Sequence, residues 1–371
     1  MSCKLIVGTI SVLLFISCNT SNPPNKDVTT TTPKNLILLI GDGMGLSHVS
    51  SAFYFQDKEP NFKRFKTIGL MNTSAKDMKI TDSASSATAM ACGKKTNNRS
   101  ISVDENDESL ETLIERVSKN DIASGLVVTS SITHATPAAF YAHVPDRSME
   151  EEIAEQLLSS SVDFAAGGGL RFFTDRKDSK DLLSSFEEKG FVVTTDPEKS
   201  VDASKKQLYL LANDGMPSKL NGRDDFLIDY TKIAMDHLSK HENGFFLMVE
   251  GSQIDWAAHD ASPEGVVLET IDFDRAIGEA LNFAEKDGNT LVVVTADHET
   301  GGYAIIPEDD GEGWNYENIT GGFYQDATKY GSTTHTATLV PVFAFGPGAV
   351  NLSGIYDIDR IFHKIVESMN W

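Results

Sequence analysis

Cysteine is scarce in this chain of 371 residues, which has only Cys3, Cys18 and Cys92. Two of the three lie within the first eighteen residues, so the rest of the chain has no pair from which to form a disulfide. A small scaffold held by disulfides is therefore excluded. We expect Cys92 to be a small buried residue and the fold to be stabilised by core packing, to which bound metal ions can add.

Positive charge is also scarce. The chain has 32 lysines and arginines against 54 aspartates and glutamates, which gives a formal net charge of −22. This balance argues against nucleic acid or an anionic membrane surface as a partner. An anionic substrate would need local positive charge, and metal ions can supply it. Hydrophobic residues make up 40% of the sequence, which is enough for a substantial core.

The apolar run at the N terminus is too short to cross a bilayer as a stable anchor. It extends from Leu5 to Ile16 and follows the single positive charge of Lys4. This pattern is typical of an export signal, so we predict that residues 1–17 are a signal peptide. The protein would then be exported to the periplasm or the cell envelope.

The end of this signal, Leu14 to Cys18, resembles a bacterial lipoprotein cleavage box with Cys18 as the lipidated first residue of the mature chain. Phe15 is not the residue favoured three positions before such a cysteine, so ordinary cleavage and a soluble exported product is the alternative. Residues 18–34 are rich in Thr, Ser, Asn and Pro and are predicted to be a flexible tether. Membrane association is expected only through such a lipid anchor.

Continuous apolar runs separated by helical patterns follow the tether. Four of these runs are 35–40, 124–129, 245–249 and 291–295. Such runs are typical of strands buried on both faces of a parallel sheet. Helical patterns lie between and after them, for example at 107–120 and 355–369, so we predict an α/β fold with a mostly parallel sheet. Residues 303–334 are rich in glycine and loop-like and are predicted to lie near the site.

Carboxylates and imidazoles follow the apolar runs at four places. These are Asp42, Glu250, the pair Asp255 and His259, and the pair Asp297 and His298. Because ligands bind at the carboxyl ends of strands in open α/β sheets, we expect these groups to lie close together. Each alone could be a turn or a solvated surface pair. Together, carboxylates with imidazoles suit zinc, and oxygen ligands alone suit magnesium.

The stretch from Ile80 to Ala89 is typical of a short loop that leads into a helix of small residues, which continues to about Cys92. Thr81 or Asp82 can cap this helix. Ser83 would then lie in the first turn, where free N–H groups and the helix dipole favour anions. The alternative is a structural helix start whose small residues only pack against the sheet.

His134, Thr136 and Arg147 follow the second apolar run. The first two could be turn residues beside Pro137, and Arg147 could be an ordinary surface cation. None of the three is diagnostic by itself.

Taken together, these motifs resemble those of the alkaline phosphatase family, in its compact type found in exported bacterial enzymes. The matching stretches are 41–45, 81–84, 134–138, 249–252, 254–255 with His259, 295–299 and 335–336. The resemblance implies a three-layer α/β/α sandwich, with residues 35–371 as a single catalytic domain. It also implies a homodimer.

The resemblance implies ligands for three metal ions. These are Asp255, His259 and His335 for a first zinc ion, Asp42, Asp297 and His298 for a second zinc ion, and Asp42, Thr136 and Glu250 for a magnesium ion. It further implies that Ser83 becomes phosphorylated as the nucleophile. Arg147 would contact two phosphate oxygens, and Asp82 would orient Arg147. The expected activity is hydrolysis of a broad range of small phosphomonoesters.

Two residues near these sites depart from the enterobacterial pattern. His134 and Trp256 stand where many enterobacterial relatives have aspartate and lysine. The resemblance therefore does not fix the ligands around the magnesium ion or the affinity for phosphate. Zinc in the third site is an alternative.

Two other functions are alternatives. One is a phosphodiesterase of the same superfamily, although these enzymes usually have threonine as nucleophile. A sulfatase of that superfamily would need its own motif around Ser83. The other is a non-catalytic envelope lipoprotein that binds phosphate or metal. A complete ligand set argues against such a protein.

Overall fold

The strand at residues 35–41, which directly follows the predicted tether, lies inside a ten-stranded sheet in this computed structural model. The structure describes residues 32–196, 204–309, 314–323 and 333–371. The predicted signal peptide, Cys18 and most of the predicted tether lie outside the described residues. The division into signal peptide, tether and catalytic domain therefore stays a prediction.

The strands of the described residues are β1 (Asn35–Gly41), β2 (Thr67–Asn72), β3 (Ala123–Ser131), β4 (Phe164–Gly168), β5 (Val192–Thr194), β6 (Gln207–Leu210), β7 (Phe245–Gly251), β8 (Thr290–Thr295), β9 (Glu299–Thr300), β10 (Tyr303–Asp309), β11 (Trp314–Phe323), β12 (His335–Thr336), β13 (Val340–Phe345) and β14 (Gly354–Asp357).

The α-helices of the described residues are α1 (Leu46–Tyr54), α2 (Ser83–Cys92), α3 (Leu113–Ser118), α4 (Ala135–Ala138), α5 (Glu150–Ser159), α6 (Arg171–Thr174), α7 (Leu182–Glu188), α8 (Phe226–Leu238), α9 (Gln253–His259), α10 (Pro263–Asp287) and α11 (Asp359–Met369). Short 3-10 helices lie at Asn61–Arg64, Lys219–Asn221 and Ala349–Leu352.

The large sheet has the order β14-β2-β13-β8-β1-β7-β3-β4-β6-β5. All neighbouring strands in it are parallel except β13, which runs antiparallel to β2 and β8. This confirms the prediction of a mostly parallel sheet. Helices pack against it, for example α10 on β7 and β8, and α8 on β3, in a three-layer α/β/α fold.

The register of the central strands sets the position of the site. β1 is buried along its whole length because apolar residues fill both of its faces. Ile40 near its end pairs with Glu250 on β7 and with Thr295 on β8. On the far side of β7, Val128 of β3 pairs with the same Glu250. The carboxyl ends of these four parallel strands therefore reach one edge of the sheet at the same level.

Three predicted segments differ from the observed elements. Within the segment 303–334, predicted to be loop-rich, residues 303–309 and 314–323 form the antiparallel pair β10 and β11. The helix predicted over 107–120 is only α3, which begins after Thr112 because that residue and Glu115 form a capping box. The helix predicted from residue 355 begins at 359, since the residues before it pair with β2 as the edge strand β14.

Cys92 ends α2 and is partly rather than fully buried. Burial raises the pKa of its thiol to about 12, so the thiol is unreactive at neutral pH. Among the described helices, none combines the length and the apolar character that a membrane span requires.

Candidate active site

Ser83 is the first residue of α2 and is almost completely buried. Asp82 is the N-cap, since its carboxylate accepts a hydrogen bond from the backbone N–H of Ser85 at 3.1 Å. This decides between the two predicted caps, because Thr81 instead pairs its hydroxyl with that of Ser85 at 2.6 Å. From Ala84 to Ala91 every residue of the helix is buried, which small side chains allow.

One group of possible ligands adjoins the Ser83 hydroxyl. Asp42 follows β1, and Asp297 and His298 follow β8, so the neighbouring strands bring them together. Nε2 of His298 lies 3.2 Å from Oγ of Ser83. The same nitrogen lies 3.4 Å from Oδ1 of Asp42 and 3.3 Å from Oδ2 of Asp297. These three ligand atoms can hold a single metal ion next to the serine.

A second group is formed by Asp255, His259 and His335. Nε2 of His259 lies 3.2 Å from Nε2 of His335. Oδ1 of Asp255 lies 3.3 Å from Nε2 of His259 and 3.6 Å from Nε2 of His335. Nδ1 of each histidine donates to a carbonyl oxygen, that of Thr333 for His259 and that of Thr81 for His335. In the neutral rings both Nε2 lone pairs therefore face the group, which is the arrangement that a metal ligand requires.

The third group consists of Asp42, His134 and Glu250. It shares Asp42 with the first group, and Glu250 reaches it from the end of β7. Thr136, the predicted third ligand, is fully buried on α4, and its hydroxyl lies beside the carboxylate of Glu250. His134 was predicted only as a neighbour of the ligands, whereas the structure places its ring nitrogen among the carboxylates.

Four carboxylate oxygens of the first and third groups lack donors from the protein. Within the described residues, both oxygens of Asp42, Oε1 of Glu250 and Oδ2 of Asp297 are buried and accept no hydrogen bond. Burial, together with the neighbouring carboxylates, raises the pKa of Asp42. Burial likewise raises the pKa of Glu250 and that of Asp297. Buried carboxylates of this kind require a cation, so the donor set fits divalent metal ions.

Two imidazoles of the site are held neutral. Burial and the nearby His335 lower the pKa of His298 well below its ordinary value. Burial and the charge of Arg147 lower the pKa of His134 to about 3. A neutral ring offers one lone pair, and that of His298 is suited to metal binding near pH 7. The lone pair on Nε2 of His134 accepts from Arg147 at 3.1 Å.

Arg147 lies in the loop before α5 and contacts Asp82, the residue that precedes Ser83. Its Nη1 donates to Oδ2 of Asp82 at 3.0 Å, and its Nη2 donates to Nε2 of His134 at 3.1 Å. Burial alone would raise the pKa of Asp82, but Arg147 and the backbone N–H groups of Ser85 and Arg99 lower it. The predicted pairing of Asp82 with Arg147 is thus present. The indole of Trp256 meets the His134 ring edge-on, with 5.8 Å between the ring centres.

Two residues that support the site were not predicted from the sequence. The hydroxyl of Thr300 donates to Asp255, and the side chain of Asn98 accepts from the backbone N–H of Asp82 and from the hydroxyl of Ser85. Thr300 is close in sequence to His298, which was a usable signal. Asn98 is 16 residues from Asp82, and no local pattern pointed to it.

Fold and site define the chain first as an α/β protein with a metal-binding centre beside a buried serine. Comparison with known proteins then identifies the family: the family model named Alkaline phosphatase matches residues 33–322. The chain belongs to the alkaline phosphatase family, which confirms the resemblance found in its motifs.

Individual relatives agree with this assignment. Alkaline phosphatase 3 of Bacillus subtilis is 42% identical over 289 residues, which cover 73% of this chain and 62% of the relative. Alkaline phosphatase 4 of the same species is matched over 65% of its length, so the chain spans slightly less than two thirds of these two relatives. The alkaline phosphatase of Escherichia coli is 32% identical, with 90% of this chain and 85% of the relative aligned.

A solved structure is similar over nearly its whole length. The alkaline phosphatase from the Antarctic bacterium TAB5 is 46% identical and superimposes with a TM-score of 0.87, covering 92% of this chain and 98% of that one. A variant of the TAB5 enzyme, in which a histidine is replaced by aspartate, is described with magnesium in its M3 site.

Proposed function

We propose that the protein is an alkaline phosphatase that hydrolyses a broad range of small phosphomonoesters. The observation that carries this proposal is the position of Ser83, at a helix N-terminus, with its Oγ 3.2 Å from Nε2 of His298. The group of His298 shares Asp42 with the third group, and the His298 ring stacks on His335 of the second. The family relationship supports the same activity.

We infer that two zinc ions and one magnesium ion bind at the three groups. Imidazole donors in the first two groups suit zinc, and the two carboxylates of the third suit magnesium. His134 adds an imidazole to the third group. The TAB5 variant with aspartate in place of a histidine is described with magnesium in its M3 site, and we infer that His134 holds the corresponding place. Zinc in this third site is the alternative for the wild-type chain.

Bound at these groups, the metal ions would favour ionised oxygen nucleophiles and offset the negative charge of the phosphoryl group. Ser83 then attacks phosphorus, so that the Oγ–P bond forms while the bond from phosphorus to the ester oxygen breaks and an alcohol leaves. Water attacks the resulting phosphoserine, which releases inorganic phosphate and restores the Ser83 hydroxyl. Both attacks need an ionised oxygen, which is consistent with activity at alkaline pH.

The protein itself contributes orientation and positive charge. Arg147, fixed by Asp82, presents its planar guanidinium to the non-bridging phosphate oxygens. Ser83 begins α2, so the positive end of the helix dipole would add to the attraction for the same anion.

A threonine nucleophile, as in phosphodiesterases of the superfamily, is not supported by the contacts of Thr81. Its hydroxyl lies 2.6 Å from that of Ser85 and 3.0 Å from the carbonyl oxygen of Asp82. Ser83, in contrast, directs its hydroxyl to a ligand group. We therefore favour monoesters over diesters as substrates.

We also propose export, lipid anchoring at Cys18 and a homodimer. The sequence of residues 1–18 supports the first two. Exposed apolar side chains on α1, among them Phe53 and Tyr54, support a covering partner for that face. The mass of the N-terminal peptide from cells tests the anchor, and sedimentation of the mature protein tests the dimer.

The activity is tested with p-nitrophenyl phosphate and its bis-ester at alkaline pH, after chelation and again with zinc and magnesium restored. We expect metal-dependent monoesterase activity well above diesterase activity. Ser83→Ala should abolish turnover but leave the metal content unchanged. Ser86→Ala, which removes from the same helix a hydroxyl that donates to the carbonyl oxygen of Asp82, is the matched control and should retain most of the activity. Negligible turnover by folded, metal-loaded wild type would favour the non-catalytic binding protein instead.

A further inference from the structure

Arg99 has an unusual backbone for a residue with a side chain. Its φ is 74°, in the left-handed region that glycine adopts easily and that other residues adopt rarely. It lies in the loop that follows α2, directly after Asn98, which binds the loop in front of Ser83. A strained residue next to a candidate site needs a structural reason.

The backbone N–H and carbonyl groups of Arg99 connect it to the guanidinium of Arg147, through Asp82, and to the backbone of Arg147. Its N–H donates to both carboxylate oxygens of Asp82, at 3.1 and 3.2 Å. Its carbonyl oxygen accepts the backbone N–H of Arg147 at 2.8 Å. Since Asp82 in turn binds the guanidinium of Arg147, the three residues form a closed ring of hydrogen bonds. Arg99 thereby fixes the backbone of Arg147 directly and its guanidinium through Asp82.

The left-handed conformation is what makes this ring possible. A change of φ to an ordinary negative value rotates the carbonyl group of Arg99 relative to its N–H, so the residue could no longer reach Asp82 and the Arg147 backbone together. The Arg99 side chain forms a fork with Asp146, at 2.8 and 2.7 Å. The two side chains are 55% and 39% exposed, and an exposed ion pair contributes little to stability. The backbone is therefore the part of Arg99 that matters most.

We propose that Arg99 is a positioning residue for Arg147, and that it acts through its left-handed backbone rather than through its charge. The inference rests on the proposed function, in which Arg147 binds the phosphate group. Arg99 itself need not touch the substrate.

The test is a series at one position: Arg99→Gly, Arg99→Ala and Arg99→Val. All three remove the guanidinium, but glycine accepts a positive φ and a β-branched residue strongly disfavours it. The probe is inorganic phosphate, whose binding to the zinc- and magnesium-loaded protein is measured by calorimetry and needs no turnover. We expect the Kd of Arg99→Gly to stay within about twofold of wild type and that of Arg99→Val to rise about tenfold, with alanine between them. The KM for p-nitrophenyl phosphate should follow the same order.

A double variant separates positioning from general damage. If Arg99 acts through Arg147, then adding Arg99→Val to Arg147→Ala should not weaken phosphate binding further. Ser179 is the matched control, because it is exposed, has a φ of 60° and lies between α6 and α7, outside the site. Ser179→Val should lower the unfolding temperature without changing the Kd for phosphate.

Three results would overturn the proposal. Equal loss of phosphate binding in the glycine, alanine and valine variants would assign the role to the side chain. An additional loss in the double variant would show that Arg99 does not act through Arg147. Unchanged binding in Arg147→Ala would remove the group that Arg99 is proposed to position. Lack of turnover in the wild type would instead contradict the proposed function, while the binding series would still report on Arg99.

Discussion

At Asp42, Glu250 and Asp297 the protein buries carboxylate oxygens without giving them hydrogen-bond donors. Glu269, a buried acid outside the site, instead pairs with the buried guanidinium of Arg223. A buried carboxylate that lacks such a partner is costly unless a cation or a proton neutralises it. The difference between these two environments, residue by residue, is what distinguishes a metal centre from a structural ion pair here.

His143 is a residue whose protonation should affect stability. Its Nδ1 lies 2.9 Å from the carbonyl oxygen of Ser102, and its Nε2 lies 3.0 Å from a carboxylate oxygen of Glu115. Both partners are acceptors, so only the doubly protonated ring satisfies both contacts. Burial opposes the charge, but the bonds to Glu115 and Ser102 prevail and raise the pKa of His143 above its ordinary value.

A group whose pKa is raised by folding stabilises the protein fully below its unfolded pKa, about 6.5 for histidine, and loses this contribution as pH rises through the folded pKa. We therefore expect the stability advantage of wild type over His143→Gln to shrink between pH 6 and pH 9. Urea unfolding of the metal-loaded proteins at both pH values measures it. His363→Gln, at an exposed histidine with one carbonyl contact, is the control. An advantage that does not change with pH would contradict the prediction.

At the scale of elements, the hairpin of β10 and β11 has a structural role that its sequence did not predict. Tyr303 at its start is buried, stacks near His48 of α1 at 5.3 Å between ring centres, and shares a hydrogen bond of 2.8 Å with the hydroxyl of Ser51. It also packs in a small apolar cluster with Ala258, next to His259. The hairpin thus joins α1 to the helix that carries two predicted zinc ligands.

We expect Tyr303→Phe to lower the free energy of unfolding by about 1 kcal/mol, the usual contribution of one buried hydrogen bond. Ser51→Ala should have a similar effect, and the double variant should cost less than the sum because both remove the same bond. Urea unfolding measures all three. Tyr54→Phe is the matched control, since Tyr54 is 63% exposed. Additive losses in the double variant would show that the two hydroxyls do not interact.

The sequence predicted those elements whose pattern is independent of distant partners. β1, β7 and β8 are continuous apolar runs, and their burial on both faces requires that pattern. β11 has polar residues and glycines, and its strand conformation depends on pairing with β10, which no local pattern reveals. The sequence also did not predict β14. Its strand conformation depends on pairing with β2, and Ile355 in it is exposed, so no buried apolar pattern marks it as a strand.

The residues of the site likewise divide into those that the sequence predicted and those that it did not. Ligands that follow strands were predicted as groups, because the sheet brings strand ends together. The contacts of Arg99 with Asp82 and of Thr300 with Asp255 join residues 17 and 45 positions apart. Asp82 and Asp255 lie in recognisable motifs, but nothing in the sequence pairs them with Arg99 and Thr300, so these contacts required the structure.

For the whole molecule, the net charge of −22 would repel the anionic substrate that we propose, unless positive charge gathers at the edge of the sheet where the site lies. The acidic side chains that face this edge are the ones that would bind metal, and Arg147 and the start of α2 face the same point. Removal of the metal ions should therefore leave several uncompensated carboxylates in one buried volume. Their mutual repulsion then adds to the general self-repulsion of an acidic chain.

The effect of removing one of these carboxylates on the unfolding temperature should consequently depend on whether metal ions are bound. Chelation should lower the unfolding temperature, because a ligand at 100 times its Kd contributes about 2.7 kcal/mol per site. Asp42→Asn should destabilise the metal-loaded protein, since Asp42 belongs to two ligand groups. In the chelated protein the same change removes a buried acid that accepts no hydrogen bond, so the variant should unfold at the same or a higher temperature than chelated wild type. Calorimetry with and without chelator measures this reversal, and Asp57→Asn, at an exposed carboxylate, should show none. If Asp42→Asn were equally destabilising in both states, the carboxylate would have a structural partner in the protein and not a metal ion.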